Sequence, residues 1–273
     1  MLRIIALASL FLIASKAHAL SISYLYGENF RNDLGYRSNK TTMTIEHFQI
    51  WEYGNVFFYY DLTEPFTTDR DEDIFGGKTR QSNQFFGGIA PTLSLSKVTG
   101  KDLSYGWFKD VSLRVELENG SGYGVNNFRN YFYGLQYDLA VPGFDFLSVN
   151  TVARDNPLSP GVGFQLGAFW QISNEWGQWS RFRFMGFVAT SPWDGNQGAK
   201  ENRRLKRLTG NKLEFDNGKY LTTQPQLLWD IGYALWGKPM RWEIGTEYNY
   251  FWNRFQLKGK DESAWQLMTK VSF

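Results

Sequence analysis

Apolar and polar side chains alternate with a period of two along about a dozen segments of this chain. The clearest is Tyr131-Phe132-Tyr133-Gly134-Leu135-Gln136-Tyr137-Asp138-Leu139, where Tyr131, Tyr133, Leu135, Tyr137 and Leu139 share one face and Phe132, Gly134, Gln136 and Asp138 share the other. A two-residue period places successive side chains on opposite faces of a β-strand. The pattern predicts strands at 20–27, 41–50, 53–63, 85–97, 107–118, 128–140, 143–154, 161–172, 178–190, 222–235, 240–252 and 262–273. In the last of these, Val271, Thr269, Leu267 and Trp265 suit a lipid-facing surface. Ser272, Lys270 and Gln266 lie between them, with Met268 as the apolar exception.

The connections alternate in length. Trp51-Glu52, Val141-Pro142, residues 173–177 and Trp236-Gly237-Lys238-Pro239 are short. Residues 28–40, 64–84, 119–127 and 191–221 are long or very polar. Short turns on one side and long loops on the other, with an even strand count, describe an outer-membrane barrel. Residues 98–106 form one longer turn on the short side. The pattern predicts an all-β fold, a transmembrane antiparallel β-barrel of twelve strands that ends on an aromatic carboxy-terminus. A soluble β-sandwich or lipocalin-like barrel would show the same alternation, with its apolar face turned inward.

The amino-terminus bears on that choice. Met1-Leu2-Arg3, an apolar run from Ile4 to Ala14 and Ala17-His18-Ala19 form the three regions of a secretory signal peptide, with cleavage expected after Ala19. The apolar run is too short for a membrane helix, which needs about 20 such residues. The expected organisation is therefore 1–19 signal peptide and 20–273 barrel, exported to the outer membrane of a Gram-negative bacterium. The chain has no cysteine, which leaves no disulfide framework and no thiol nucleophile. Removing Arg3 and Lys16 makes the mature chain close to neutral, without the basic excess of a nucleic-acid binder. Aromatic residues make up 18% of the chain and recur along the alternating segments, as in a barrel with interfacial girdles.

Fixing the lipid face assigns the lumen. Outward Trp242, Ile244, Thr246, Tyr248 and Tyr250 leave Arg241, Glu243, Glu247, Asn249 and Phe251 inside. Outward Leu227, Trp229, Ile231 and Tyr233 leave Gln226 and Asp230 inside. Arg181 and Arg183 point inward from the ninth segment. Val111, Leu113, Val115 and Leu117 face lipid and place Arg114, Glu116 and Glu118 in the interior. Arg or Lys on the lipid face near midplane costs on the order of 2–4 kcal/mol, so these charges belong inside. Such a lumen fits a salt-bridged filling, or a narrow passage whose inward Phe30, Phe57, Tyr59, Phe132 and Phe251 stack on flat rings while charges bind hydroxyls.

Residues 90–109, centred on Val98-Thr99-Gly100-Lys101-Asp102-Leu103-Ser104-Tyr105-Gly106, resemble a strand, turn and following strand of the nucleoside-specific channel-forming proteins, the Tsx-like family. Weaker similarity covers Phe30-Arg31-Asn32-Asp33, Ile45-Glu46-His47-Phe48 and Val271-Ser272-Phe273. The resemblance implies a twelve-stranded barrel that passes nucleosides by diffusion, with the base between lumen aromatics and the sugar on ionisable residues. It also implies that a phage or colicin receptor role accompanies some members. By similarity Phe30 is a binding aromatic and Glu46 an inward glutamate. The chain departs from the family at Gly88, Ala90, Thr92 and Ser94, where members often carry inward charges.

The residues nominated to contact solute in the lumen are Phe30, Glu46, Asp61, Arg114, Glu116, Arg183, Asp230 and Glu243. No cofactor or metal is implied. Asp69, Asp71 and Asp73 imitate the start of a calcium loop, but Ile74 and Arg80 stand where glycine and glutamate are needed. Gly120, Gly122 and Gly124 fail the spacing of a dinucleotide fingerprint. Lys200, Arg203, Arg204, Lys206 and Arg207 fall in the longest outer loop, as an exposed segment or a contact for lipopolysaccharide phosphates. His47, the one histidine beyond residue 19, faces lipid and leaves an enzyme without a base. The expected function is a monomeric outer-membrane channel for facilitated diffusion of small solutes, nucleosides above all, with membrane lipid and lipopolysaccharide around it. The alternative is a plugged structural or receptor barrel without flux.

Overall fold

The computed structural model describes residues 17–31, 37–66, 84–121, 128–155, 162–177, 180–192, 199–216 and 218–273. Its strands are β1 (Ala17–Arg31), β2 (Arg37–Trp51), β3 (Gly54–Thr63), β4 (Gln84–Ser94), β5 (Phe108–Gly120), β6 (Phe128–Leu139), β7 (Phe146–Asp155), β8 (Val162–Glu175) and β9 (Arg181–Ser191). They continue as β10 in two pieces, Tyr220–Thr223 and Gln226–Asp230, then β11 (Trp242–Trp252) and β12 (Glu262–Ser272). Each strand pairs antiparallel with its sequence neighbours, and β1 pairs with β12 from Ser21↔Ser272 to Gly27↔Gln266. Both pieces of β10 pair with β9 and β11, so they form one wall position of a closed barrel with twelve staves. The break falls at Gln224-Pro225, because proline has no N–H to give to a ladder.

Closure leaves no free edge and satisfies the backbone groups that lipid cannot. The alternation is the expected one. Along β12, Trp265 and Leu267 are 65% and 68% exposed, whereas Gln266 and Lys270 are 5% and 4% exposed. Leu113, Val115, Tyr131, Tyr133, Leu227 and Trp229 are likewise exposed on the outside. The apolar set lies outside and the polar set inside, which excludes the soluble sandwich or lipocalin. Exposed Tyr105, Trp107, Trp176 and Trp236 band the end that carries the short turns. Tyr60, Phe85, Tyr248 and Trp265 pack in pairs towards the other, Tyr60 stacked on Phe85 with centroids 5.6 Å apart and Tyr248 tilted against Trp265 at 4.8 Å.

Several boundaries differ from the sequence reading. The fourth segment ends at Ser94, where α1 (Leu95–Thr99) begins with Ser94 as N-cap and Gly100 (φ 67°) as C-cap. The seventh and ninth start three residues late, at Phe146 and Arg181. The tenth stops at Asp230, whose carboxylate caps α3 (Ile231–Trp236) by accepting from Tyr233 N, so Ile231 and Tyr233 are helical and not part of a lipid-facing strand. A cap of this kind contributes about 1 kcal/mol. Arg241 precedes β11, is exposed, and donates to the Ser272 carbonyl at 3.3 Å; it does not line the lumen. The basic run falls on α2 (Ala199–Leu208), where Lys206 pairs with Glu214 at 3.1 Å. Asp69, Asp71 and Asp73, and Gly122 and Gly124, lie outside the described residues.

The long turn at 98–106 is built on one carboxylate. Asp110 accepts from the hydroxyls of Ser94 and Ser96, the latter at 2.7 Å, and Ser96 Oγ then accepts from Leu103 N at 3.3 Å. Asp102, outside the membrane, accepts from Ser104 N at 2.9 Å, and the Ser104 hydrogen bonds hold its carboxyl below the usual range.

Candidate functional site

Residues directly opposite in an antiparallel ladder share a face, so the register draws the inner wall. One inward row runs Ser21, Glu46, Tyr59, Gly88, Glu118 and Asn130 across β1 to β6. Another runs Leu228, Gly245, Met268 and Leu25 across the seam where β12 meets β1. The lumen therefore has two unlike walls.

The seam wall, on β9 to β12, β1 and β2, is locked. Arg183 Nε donates to Glu243 Oε1 at 2.9 Å, a second guanidinium nitrogen contacts Oε2, and Nη1 reaches Gln171 at 3.2 Å. Glu243 is fully buried. Lys270 pairs with Glu46, which also accepts from Ser21 Oγ at 3.2 Å, tying β12 to β2 across β1. Asp230 bonds Arg181 at 3.1 Å and Met240 N at 2.6 Å in addition to its cap. Above these pairs, Leu25, Leu228 and Met268 form an apolar cluster with Met185 against it. Gly245 lets β10 and β11 approach closely beside it: a Cβ there would sit 2.0 Å from the Leu227 carbonyl oxygen. The apolar exception on the last strand thus has a role, filling the interior beside the seam.

The opposite wall, on β3 to β8, carries aromatic rings. Phe57 and Tyr59 stack at 5.6 Å and 22°, and Phe86 lies 5.8 Å from Tyr59; all three are half-buried on inward positions. Tyr59 donates its hydroxyl to Glu118 at 3.0 Å, and Asn130 donates to the other oxygen of the same carboxylate at 3.0 Å. Asp61, two residues along the same face, accepts from Thr44 at 2.6 Å. Arg114 bonds Glu116 at 2.6 Å and Gln136 at 2.8 Å, with its guanidinium 5.1 Å from the centre of the Phe169 ring. Towards the long-loop end, Arg154 lies between Tyr220 at 4.9 Å and Phe132 at 5.9 Å. Phe30 is buried there too, beneath Lys40 at 5.1 Å.

Of the nominated residues, Glu46, Arg183, Asp230 and Glu243 gather at the seam as ion-paired struts. Arg114 and Glu116 form a pair on the far wall, Asp61 joins the aromatic patch, and Phe30 stands at the long-loop end. All eight belong to inward positions or the inner packing. Lys270, Arg154, Phe86, Phe169 and Tyr220 escaped nomination. Parity did place Lys270 inside, but only the closing β1–β12 register reveals that it neutralises Glu46. Chemically, flat rings beside carboxylates and amides suit a solute with one planar and one hydroxylated part.

A family model described as "Nucleoside-specific channel-forming protein, Tsx" matches residues 26–202. No curated protein matches the chain. Among solved structures, the chain is similar to the KdgM porin, with 12% identity, a TM-score of 0.45, and coverage of 93% of this chain and 99% of that one. It is similar to OprB of Pseudomonas putida, with 8% identity, a TM-score of 0.42, and coverage of 97% and 96%. A third is OccK3 (OpdO) of Pseudomonas aeruginosa, with 8% identity, a TM-score of 0.39, and coverage of 94% and 95%.

Proposed function

Because the chain belongs to the family of nucleoside-specific channel-forming proteins, Tsx, we propose that this outer-membrane channel barrel passes nucleosides by facilitated diffusion. The observation that carries the reading is the half-buried ring patch of Phe57, Tyr59 and Phe86 on the inner wall, with Glu118, Asn130 and Asp61 beside it. The rings offer stacking to a base, and the carboxylates accept from ribose hydroxyls. Phe30 and Arg154 at the long-loop end, and Arg114 with Glu116, supply further weak sites along the path. Binding at each must be favourable enough to admit the solute and weak enough to release it.

The protein is exported in this scheme and trimmed after Ala19. Ala17, His18 and Ala19 pair with β2 alone, whereas pairing to the last strand begins with Phe273 N donating to the Leu20 carbonyl at 2.9 Å. Cleavage there leaves the closing ladder whole.

A planar bilayer holding the refolded mature chain tests the proposal. Single-channel current should fall saturably with adenosine and thymidine and not with a sugar. A conducting pore indifferent to all three removes the nucleoside and keeps the channel. The locked seam and its apolar cluster favour a second reading, a structural or receptor barrel closed by its own side chains, with lipopolysaccharide or a phage or colicin at its outer loops. Correctly folded protein without current would decide for that one.

A further inference from the structure

On the inner wall, ion pairs account for Glu46, Glu116, Asp230, Glu243 and Glu262, each with a Lys or Arg partner. Asp61, Glu118 and Glu247, like Asp138 nearer the short turns, make no ion pair among the described residues. Their contacts are to neutral groups: Thr44 for Asp61, Tyr59 and Asn130 for Glu118, and Gln226 and Gln266 for Glu247, both at 2.7 Å. Asp61 and Glu118 belong to one patch: Asp61 lies two residues from Tyr59 on the inward face of β3, and Tyr59 donates to Glu118 at 3.0 Å. Glu247 faces the lumen from β11, between Gln226 and Gln266 in the register. The nearby cations are engaged: Arg154 is held between two rings, Lys270 is paired with Glu46, and Lys40, in the same register row as Glu247 and Gln266, lies over the Phe30 ring.

The amides that hold two of these carboxylates carry a second, independent sign. Asn130 is 6% exposed and Gln266 5% exposed, and each spends its N–H on the carboxylate. The carbonyl oxygens Asn130 Oδ1 and Gln266 Oε1 are buried and receive no hydrogen bond among the described residues. Gln226 Oε1, on the other side of Glu247, is in the same position. A buried acceptor without a donor is costly, of order 1–3 kcal/mol each. This stretch of lumen therefore carries acceptors in excess of donors, and its cations are engaged elsewhere. A cation passing beside Asp61, Glu118 and Glu247 would offset their negative charge.

From this we infer that the permeation path is cation-selective, with Asp61, Glu118 and Glu247 as its filter and small hydrated cations such as K⁺ as the favoured ions. Rings of Asp and Glu select cations in channels by lowering the energy of a cation and raising that of an anion at the same place. The inference rests on the reading of the barrel as an open channel, and its test separates the two.

The measurement is the reversal potential of the unaltered mature barrel in a planar bilayer under a KCl gradient. The expected sign is that for K⁺ over Cl⁻. The isosteric triple variant Asp61→Asn, Glu118→Gln, Glu247→Gln is expected to lose that preference, and the charge-conserving Asp61→Glu to keep it. Should the triple variant not fold, Asp61→Asn alone is expected to move the reversal potential towards zero. A wild-type potential at zero, or of the sign for Cl⁻, overturns the inference while leaving the channel standing. Undiminished cation preference in a folded triple variant overturns the assignment to these residues. No current at all from folded wild-type protein overturns the channel reading and the inference with it.

Discussion

Both walls of the lumen carry charged side chains, and the two differ in what most of those charges touch. At the seam, Arg183, Glu243, Lys270 and Glu46 spend their charges on one another. Across the lumen, Asp61 and Glu118 spend theirs on hydroxyls and an amide, beside half-buried rings. Paired charges that are largely buried hold the staves together where the chain's ends meet. Unpaired ones next to half-buried rings remain available to something that passes. A lumen charge thus has no function of its own until its partner is known, and the partner separates strut from solute contact.

The sharpest way to break this distinction is to remove one member of a strut. Arg183→Ala leaves Glu243 buried and uncompensated, which costs about 3–5 kcal/mol. The expected outcome is a large drop in the urea midpoint of the refolded barrel, and an unchanged midpoint would dissolve the contrast. Next in size, Leu228→Ala opens a void in the apolar cluster and costs roughly 2–4 kcal/mol by the same measurement. It should leave nucleoside block of the remaining folded channels intact.

Changes on the ring wall should invert that pattern. Tyr59→Ala removes stacking worth on the order of 0.5–1.5 kcal/mol beyond area. Nucleoside block should weaken by up to about tenfold in the bilayer while the channel still forms; block as strong as wild type would take Tyr59 out of the path. Smallest is Ser94→Ala at the base of the long turn, where a lost N-cap costs about 1 kcal/mol in stability. Current and block should not change, since α1 lies outside the lumen.

Much of this was legible from residues alone. Alternation in Tyr131–Leu139 and around Trp265 defined the outward face, because burying a charge in lipid costs more than any local propensity can return. Turn lengths then supplied the stave count, and the β1–β12 pairing bears it out. What stayed hidden involved three-dimensional neighbours. Periodicity ran through Pro225 and past Asp230 because Leu227, Trp229, Ile231 and Tyr233 keep the strand pattern even where Asp230 caps a helix. Parity put Asp230 and Glu243 inside but not that Arg181 and Arg183 would claim them.

The linear chain, then, determined a barrel, its lipid face and the inventory of its lumen, since those follow from a two-residue period and the cost of polar groups in hydrocarbon. Tertiary structure alone decided which inward groups neutralise each other. The pairs Lys270–Glu46 and Arg183–Glu243 join residues far apart in sequence, brought together only when the sheet closes with one register. Charge pairing depends on distances of a few ångströms, and closure of the barrel is what sets them.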